Sequence, residues 1–157
     1  MNSAELQSFL DEKVTQYNTR DFIDSDPVQI PHLFSQKEDI EIAGFLAATI
    51  AWGNRKMIIK NAHRMMELMG NSPYDFVLSH QEKDLKDLES FVHRTFNGQD
   101  FIGFIKGLQH IYQNHNGLEA VFAQNQEAFS MQMSIHAFKK VFFNVPHAKK
   151  KKKHISD

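Results

Sequence analysis

Apolar side chains at Leu6, Phe9, Leu10, Val14 and Tyr17 follow the i, i+3, i+4 spacing of one helical face, so a helix is predicted at the start, with Ser3 as its N-cap. It should fade near Asn18, before Asp24-Ser25-Asp26-Pro27, where proline and turn-forming side chains oppose continuation. Pro27 and Pro31 bracket a short turn or extended link, after which Leu33 and Phe34 return to the core. Ser35-Gln36-Lys37-Glu38 has the form of a capping box, which predicts a helix through Ile40, Ala43, Gly44, Ala47, Ala48 and Ala51. With Ile42, Phe45, Leu46 and Ile50 added it is apolar around most of its circumference, the mark of a central helix, and its small residues would allow close neighbours.

Trp52-Gly53-Asn54 breaks that pattern, and Met57, Ile58, Ala62, Met65, Met66 and Met69 begin an amphipathic helix ended by Gly70 and Pro73. Ser72-Pro73 opens a short helix, and Ser79-His80-Gln81-Glu82 suggests a second capping box. Phe91 to Phe96 alternates, but one short run predicts no sheet. Asn97-Gly98 marks a turn, and Asp100 is the predicted cap of a helix through Phe101, Phe104, Ile105, Leu108, Ile111 and Tyr112. Further helices are predicted over Leu118 to Ala123 and Gln126 to Phe143. The expectation is an all-α, compact helical domain over residues 1–147 with a basic C-terminal tail over 148–157.

Charge changes this picture locally. The net charge of −1 hides a run of five lysines, Lys149, Lys150, Lys151, Lys152 and Lys153, which leaves 13 basic against 19 acidic residues elsewhere. The body is mildly acidic and the tail strongly basic, so a polyanion contact would be local. With no cysteine there is no disulfide, thiolate metal site or cysteine nucleophile. The N-terminus does not read as a signal peptide and no apolar stretch approaches membrane-spanning length, so a cytoplasmic location with no membrane partner is expected.

Nine histidines raise the question of a metal. None forms the helical i, i+4 pair of a zinc protease, and His110 and His115, five apart, fall on different faces of a continuous helix. They read as surface or packing residues, with no metal and no cofactor expected. Met65, Met66 and Met69 read as core filler. No phosphate loop or nucleophile elbow is present, and no catalytic residue can be nominated.

The junction Trp52-Gly53-Asn54-Arg55-Lys56 carries more. Gly53 permits a sharp turn, Asn54 can cap the next helix, and the first amides of that helix then point outward beside Arg55, Lys56 and Lys60. Such a helix start can hold phosphate, although an ordinary connection with solvated cations fits the same pattern. The lysine run is either a salt-dependent, sequence-blind phosphate arm or a solvated tail.

Asp26-Pro27-Val28, Pro31-His32, Phe34, and the long stretch from Asp39 to Arg55 together resemble an uncharacterised bacterial family of unknown function. Phe91 to Gly98, Gly117-Leu118-Glu119 and Lys153 to Asp157 support the resemblance, which covers the chain almost end to end. That family is in turn distantly similar to helix-hairpin-helix DNA glycosylases, in which an alanine-rich central helix ends in a short polar loop at the DNA; Ala43 to Lys60 is similar to that arrangement.

The resemblance implies the N-terminal part of a glycosylase-like fold, with Asn54 and Arg55 where DNA-probing residues would lie. It also implies a longer chain, since family members continue past the position of Asp157, so a truncated, inactive form is expected. Two functions follow as expectations. One is DNA binding, glycosylase-like in the full-length form. The other is a helical protein-interaction module without catalytic activity, using either the Met-rich helix or an apolar face exposed by truncation, the latter also a route to self-association.

Overall fold

The structure is a computed structural model that describes residues 1–124 and 130–145. Among these the chain is helical apart from one two-stranded hairpin. The elements are α1 (Ser3–Tyr17), α2 (Arg20–Ile23), two 3-10 turns (Pro27–Gln29 and Pro31–Leu33), α3 (Lys37–Thr49), α4 (Arg55–Leu68), α5 (Pro73–Ser79), α6 (Glu82–Leu88), β1 (Val92–His93), β2 (Phe96–Asn97), α7 (Gly98–Asn114), α8 (Leu118–Ala123) and α9 (Met131–Phe142). The predicted helix over Gln126 to Phe143 is thus found from Met131; residues 126–129 lie outside the described residues.

The core gathers around α7. Its Phe101, Phe104, Ile105, Leu108 and Ile111 are buried, and α5, α6, α8, α9 and β2 pack on it. Phe104 lies at the centre of an aromatic cluster, with ring centroids 5.9 Å from Phe45, 5.2 Å from Phe96 and 5.0 Å from Phe142. The close approach of α9 rests on Gly107, where an added Cβ would come within 2.6 Å of the Phe142 ring. Met65, Met66 and Met69 fill the core as their spacing implies.

Helix α3 is central as expected, contacting both 3-10 turns, α4, α5 and α8 and placing Phe45 against Phe104, Phe138 and Phe142, but a strip along it stays open. Ile42, Ala43, Leu46, Ala47 and Ile50 are buried, whereas Gly44 is partly open and Ala48 exposed. The small residues here border an open hollow more than a second helix.

Capping differs from expectation in four places, each for a local reason. The N-cap of α1 is Asn2, which exchanges hydrogen bonds with Glu5 at 2.9 Å in both directions. Gln36, not Ser35, precedes α3 and gives no side-chain cap. Tertiary contacts hold that end instead: Asp39 accepts from the Tyr74 amide at 2.9 Å, and Lys37 pairs with Glu119, besides Glu41 one turn along its own helix. Helix α5 runs through Ser79, so the next helix starts later, with the Gln81 amide donating to Asp84 at 2.8 Å. Asn97 caps α7 in a reciprocal pair with Asp100, at 3.0 and 2.9 Å.

Two further expectations are overturned. The alternating run does form a small antiparallel hairpin, pairing Val92 with Asn97 and His93 with Phe96. It survives because Phe91 and Phe96 are buried against α7, which supplies the packing that an isolated hairpin lacks. His110 and His115 are also not on different faces. Helix α7 stops at Asn114 and His115, at φ −131°, has already left the helical path, so the two rings lie 4.9 Å apart between centroids.

Candidate nucleic-acid interface

Helix α3 ends where its polar and aromatic residues take over the last carbonyls. Thr49 Oγ1 donates to the Phe45 carbonyl at 2.8 Å, and the Trp52 indole N–H donates to the Thr49 carbonyl at 3.1 Å. Gly53 then adopts φ +106°, a left-handed value that favours glycine. Asn54 is the N-cap of α4, and its side-chain oxygen accepts from the Met57 amide at 3.2 Å. The sequence-predicted capping role of Asn54 is therefore realised, which commits that oxygen to the helix. The Arg55 and Lys56 amides take no hydrogen bond within the described residues.

The hairpin braces this loop from the side. His93 is buried, with Nδ1 accepting from Asn61 Nδ2 at 2.8 Å and Nε2–H donating to the Trp52 carbonyl at 3.2 Å. Those partners suit one neutral tautomer: an amide N–H can only donate and a carbonyl can only accept. Arg94 follows in the hairpin turn at φ +54°, an uncommon conformation for a residue with a long side chain. From there its guanidinium lies 4.9 Å from the Trp52 ring centroid, a cation–π contact. It also covers Gly53 so closely that an added Cβ would meet Arg94 Nη1 at 2.6 Å. The positive φ favours glycine here, and a Cβ would also displace the Arg94 guanidinium from this position.

The resulting surface is positive without internal neutralisation. Arg55, Lys56, Lys60 and Arg94 are exposed, and none is ion-paired among the described residues. The first turn of α4 holds no acidic residue. That inverts the usual arrangement, in which carboxylates complement the partial positive charge of a helix N-terminus. Lys56 and Lys60, four apart, continue the positive face along the helix until Arg64, which pairs with Glu67 at 3.5 Å.

Beside the junction lies a hollow of about 450 Å³. Gly44, Ala47, Ala48 and Ala51 of the α3 segment border it, Pro27, Val28 and Pro31 line one side, and Gly53, Arg55 and Ile58 the other. Asp26 stands at its edge, with one carboxylate oxygen taken by the Val28 amide at 2.9 Å.

Of the residues expected at a nucleic-acid site, Asn54, Arg55, Lys56 and Lys60 are brought together on the first turns of α4. Lys149, Lys150, Lys151, Lys152 and Lys153 lie outside the described residues. Sequence reasoning missed Arg94 and the bracing by His93. The signal was the alternation from Phe91 to Phe96, which makes a hairpin only because α7 is there to receive it. No group of three or more His, Asp or Glu side chains suited to a metal occurs among the described residues. No helix among them is long and apolar enough to cross a membrane.

A family model described as protein of unknown function DUF2400 matches residues 26–157, most of the chain and the whole of the junction. The chain belongs to the DUF2400 family. No curated protein and no solved structure matches it. Within this DUF2400 chain the match takes in α3, α4, the hairpin and α7, while α1 and α2 precede it.

Proposed function

We propose that this DUF2400 chain binds nucleic acid, with the phosphate backbone docking on the α3–α4 junction. The observation that carries the reading is the positive surface of Arg55, Lys56, Lys60 and Arg94, free of ion pairs among the described residues, at a helix start that has no acidic residue in its first turn. Open amides at Arg55 and Lys56 would donate to a phosphate oxygen, and the cations would neutralise it. The lysine run at 149–153 would add sequence-blind attraction, released by salt. DNA is the favoured partner on the glycosylase resemblance, and a cytoplasmic location is compatible with it. The proposal is one of binding. Base excision would need an acid or amine held beside an extruded base, and no residue of this chain is assigned that role.

Fluorescence anisotropy with duplex and single-stranded DNA across a salt series tests it. Binding should weaken steeply with salt, and Arg55→Ala and Arg94→Ala should each lower the log–log salt slope by roughly one. No binding at low salt, or binding as tight as the parent's by both the Arg55→Ala/Arg94→Ala double variant and a variant with the five lysines replaced by serine, would sink it.

A second reading, self-association, is favoured by one specific observation. Helix α1 buries no residue, and Leu6, Phe9, Leu10, Val14 and Tyr17 are 46–57% exposed. Leu10, Val14 and Tyr17 also wall a groove of about 1120 Å³ with Phe22, Ile23 and Val28. A second copy running antiparallel would set Leu6 and Phe9 of each chain into the groove of the other, an isologous contact that closes as a dimer. Sedimentation velocity over a concentration series reads this directly.

A further inference from the structure

The end of α7 carries a histidine pair that the nucleic-acid reading does not use. Nε2 of His110 and Nε2 of His115 are 3.3 Å apart. Asn114 Nδ2 donates to His110 Nδ1 at 3.2 Å and to the His110 carbonyl at 3.1 Å. With Nδ1 accepting, the His110 proton sits on Nε2 and is given to His115 Nε2, so both rings are neutral and joined by one shared proton. Both are half-buried, which leaves the pair open to solvent on one side.

We propose that this pair is a two-histidine site for a divalent first-row transition ion, with the remaining positions filled by water. Two imidazole nitrogens bound to one tetrahedral ion at about 2.0–2.1 Å lie roughly 3.3–3.4 Å from each other. The Nε2 atoms already have that separation, so the ion requires only that each ring tilt until its lone pair points at a common centre. The site also lies at the C-terminal end of a helix of 17 residues, where the partial negative charge of the last carbonyls favours a cation.

Ligation displaces two waters from the ion and frees His110 Nε2 of its proton. Nδ1 takes up a proton in exchange, so the ring stays neutral. Asn114 then turns its carboxamide by half a turn to accept from Nδ1–H, giving up its bond to the His110 carbonyl. A ligating histidine held by an oxygen at its other nitrogen is the usual outer arrangement of such sites. The present Nε2 separation matches a tetrahedral ion such as Zn²⁺; Cu²⁺, highest in the affinity order, would draw the two nitrogens in to about 2.8–2.9 Å in its tetragonal geometry, and its spectrum makes it the first probe. The ion would staple the end of α7 to the turn at Asn116 and Gly117 that leads into α8.

The test uses the full chain with Cu²⁺ alone, then Ni²⁺ and Zn²⁺, by calorimetry and electron paramagnetic resonance. One equivalent of Cu²⁺ should bind with superhyperfine splitting from two nitrogens and raise the melting temperature. His110→Gln and His115→Gln should each weaken this binding at least tenfold and reduce the coupled nitrogens, while leaving the circular dichroism of the metal-free protein unchanged. Asn114→Asp should tighten it, since a carboxylate accepts more strongly from Nδ1–H. If both glutamine variants bind Cu²⁺ as tightly as the parent with the same nitrogen coupling, the other histidines hold the ion and the assignment is wrong. If a glutamine variant does not fold, the sign of the Asn114→Asp effect decides: unchanged or weaker binding overturns the site.

Discussion

Helices α1 and α7 carry the same kind of apolar stripe, yet their fates are opposite. Phe101, Phe104, Ile105, Leu108 and Ile111 of the α7 stripe are buried because α5, α6, α9 and the hairpin converge on it from other parts of the chain. The stripe of α1 meets no such neighbours. Its Tyr17 touches Phe22 edge-on, with centroids 5.9 Å apart, Leu10 and Val14 line the open groove, and Leu6 and Phe9 lie outside it. Periodicity identifies which face of a helix is apolar; coverage depends on elements distant in sequence. The family match begins at Asp26, so α7 lies inside it and α1 outside.

The largest effect should come from breaking the covered stripe. Phe104 is fully buried against Phe45, Phe96 and Phe142, so Phe104→Ala removes a large ring and leaves a cavity in a cluster that relaxes only partly. A loss of about 3–5 kcal/mol in urea unfolding is expected. The matched change on the uncovered stripe, Phe9→Ala, should stay within about 0.5 kcal/mol. A loss above about 2 kcal/mol for Phe9→Ala would show that α1 packs against something in solution and would end the contrast.

A smaller effect is expected where α7 meets α3 through polar groups. The Tyr112 hydroxyl donates to Glu41 Oε2 at 2.9 Å, and burial, followed by the charge of Glu41, pushes its pKa well above the ordinary tyrosine value. The unfolded tyrosine ionises near pH 10 while the folded one keeps its proton, so this contribution is fully present below pH 10 and is lost as pH rises beyond it. Tyr112→Phe should cost about 1–2 kcal/mol at neutral pH, less than a fully buried bond to a charge because solvent screens part of it. It should also flatten the fall in stability above pH 10, which denaturation midpoints measured from pH 8 to pH 11 would reveal.

The same division explains what the sequence could disclose. Helix positions followed from spacing, and the α3–α4 junction followed from Gly53 and Asn54, because both are set by local backbone chemistry. Caps were less legible: Ser35 and Ser79 have the right side chains, but the contacts of Asp39 and the extension of α5 decided the outcome. Arg94 was invisible as part of the site because its place depends on a hairpin that only α7 stabilises. His110 and His115 were misplaced for a related reason. Their angular separation was reckoned on a continuous helix, whereas α7 ends at Asn114 and His115 already leaves the helical path.

The smallest change in stability accompanies the most informative test of the uncovered stripe. Leu10→Gln and Val14→Gln together replace two apolar side chains that are about half exposed, so the monomer should lose no more than roughly 0.5 kcal/mol. Neither residue touches the buried core, and glutamine is a comparable or better helix former than valine or leucine at an exposed position. If a second copy covers α1, the same pair of changes removes the centre of the interface. Sedimentation should then shift from a concentration-dependent dimer in the parent to a monomer in the variant, with unchanged helicity. A parent that stays monomeric to high micromolar concentration would leave α1 as an amphipathic helix that another copy does not cover, and the self-association reading would fall while the contrast with α7 stood.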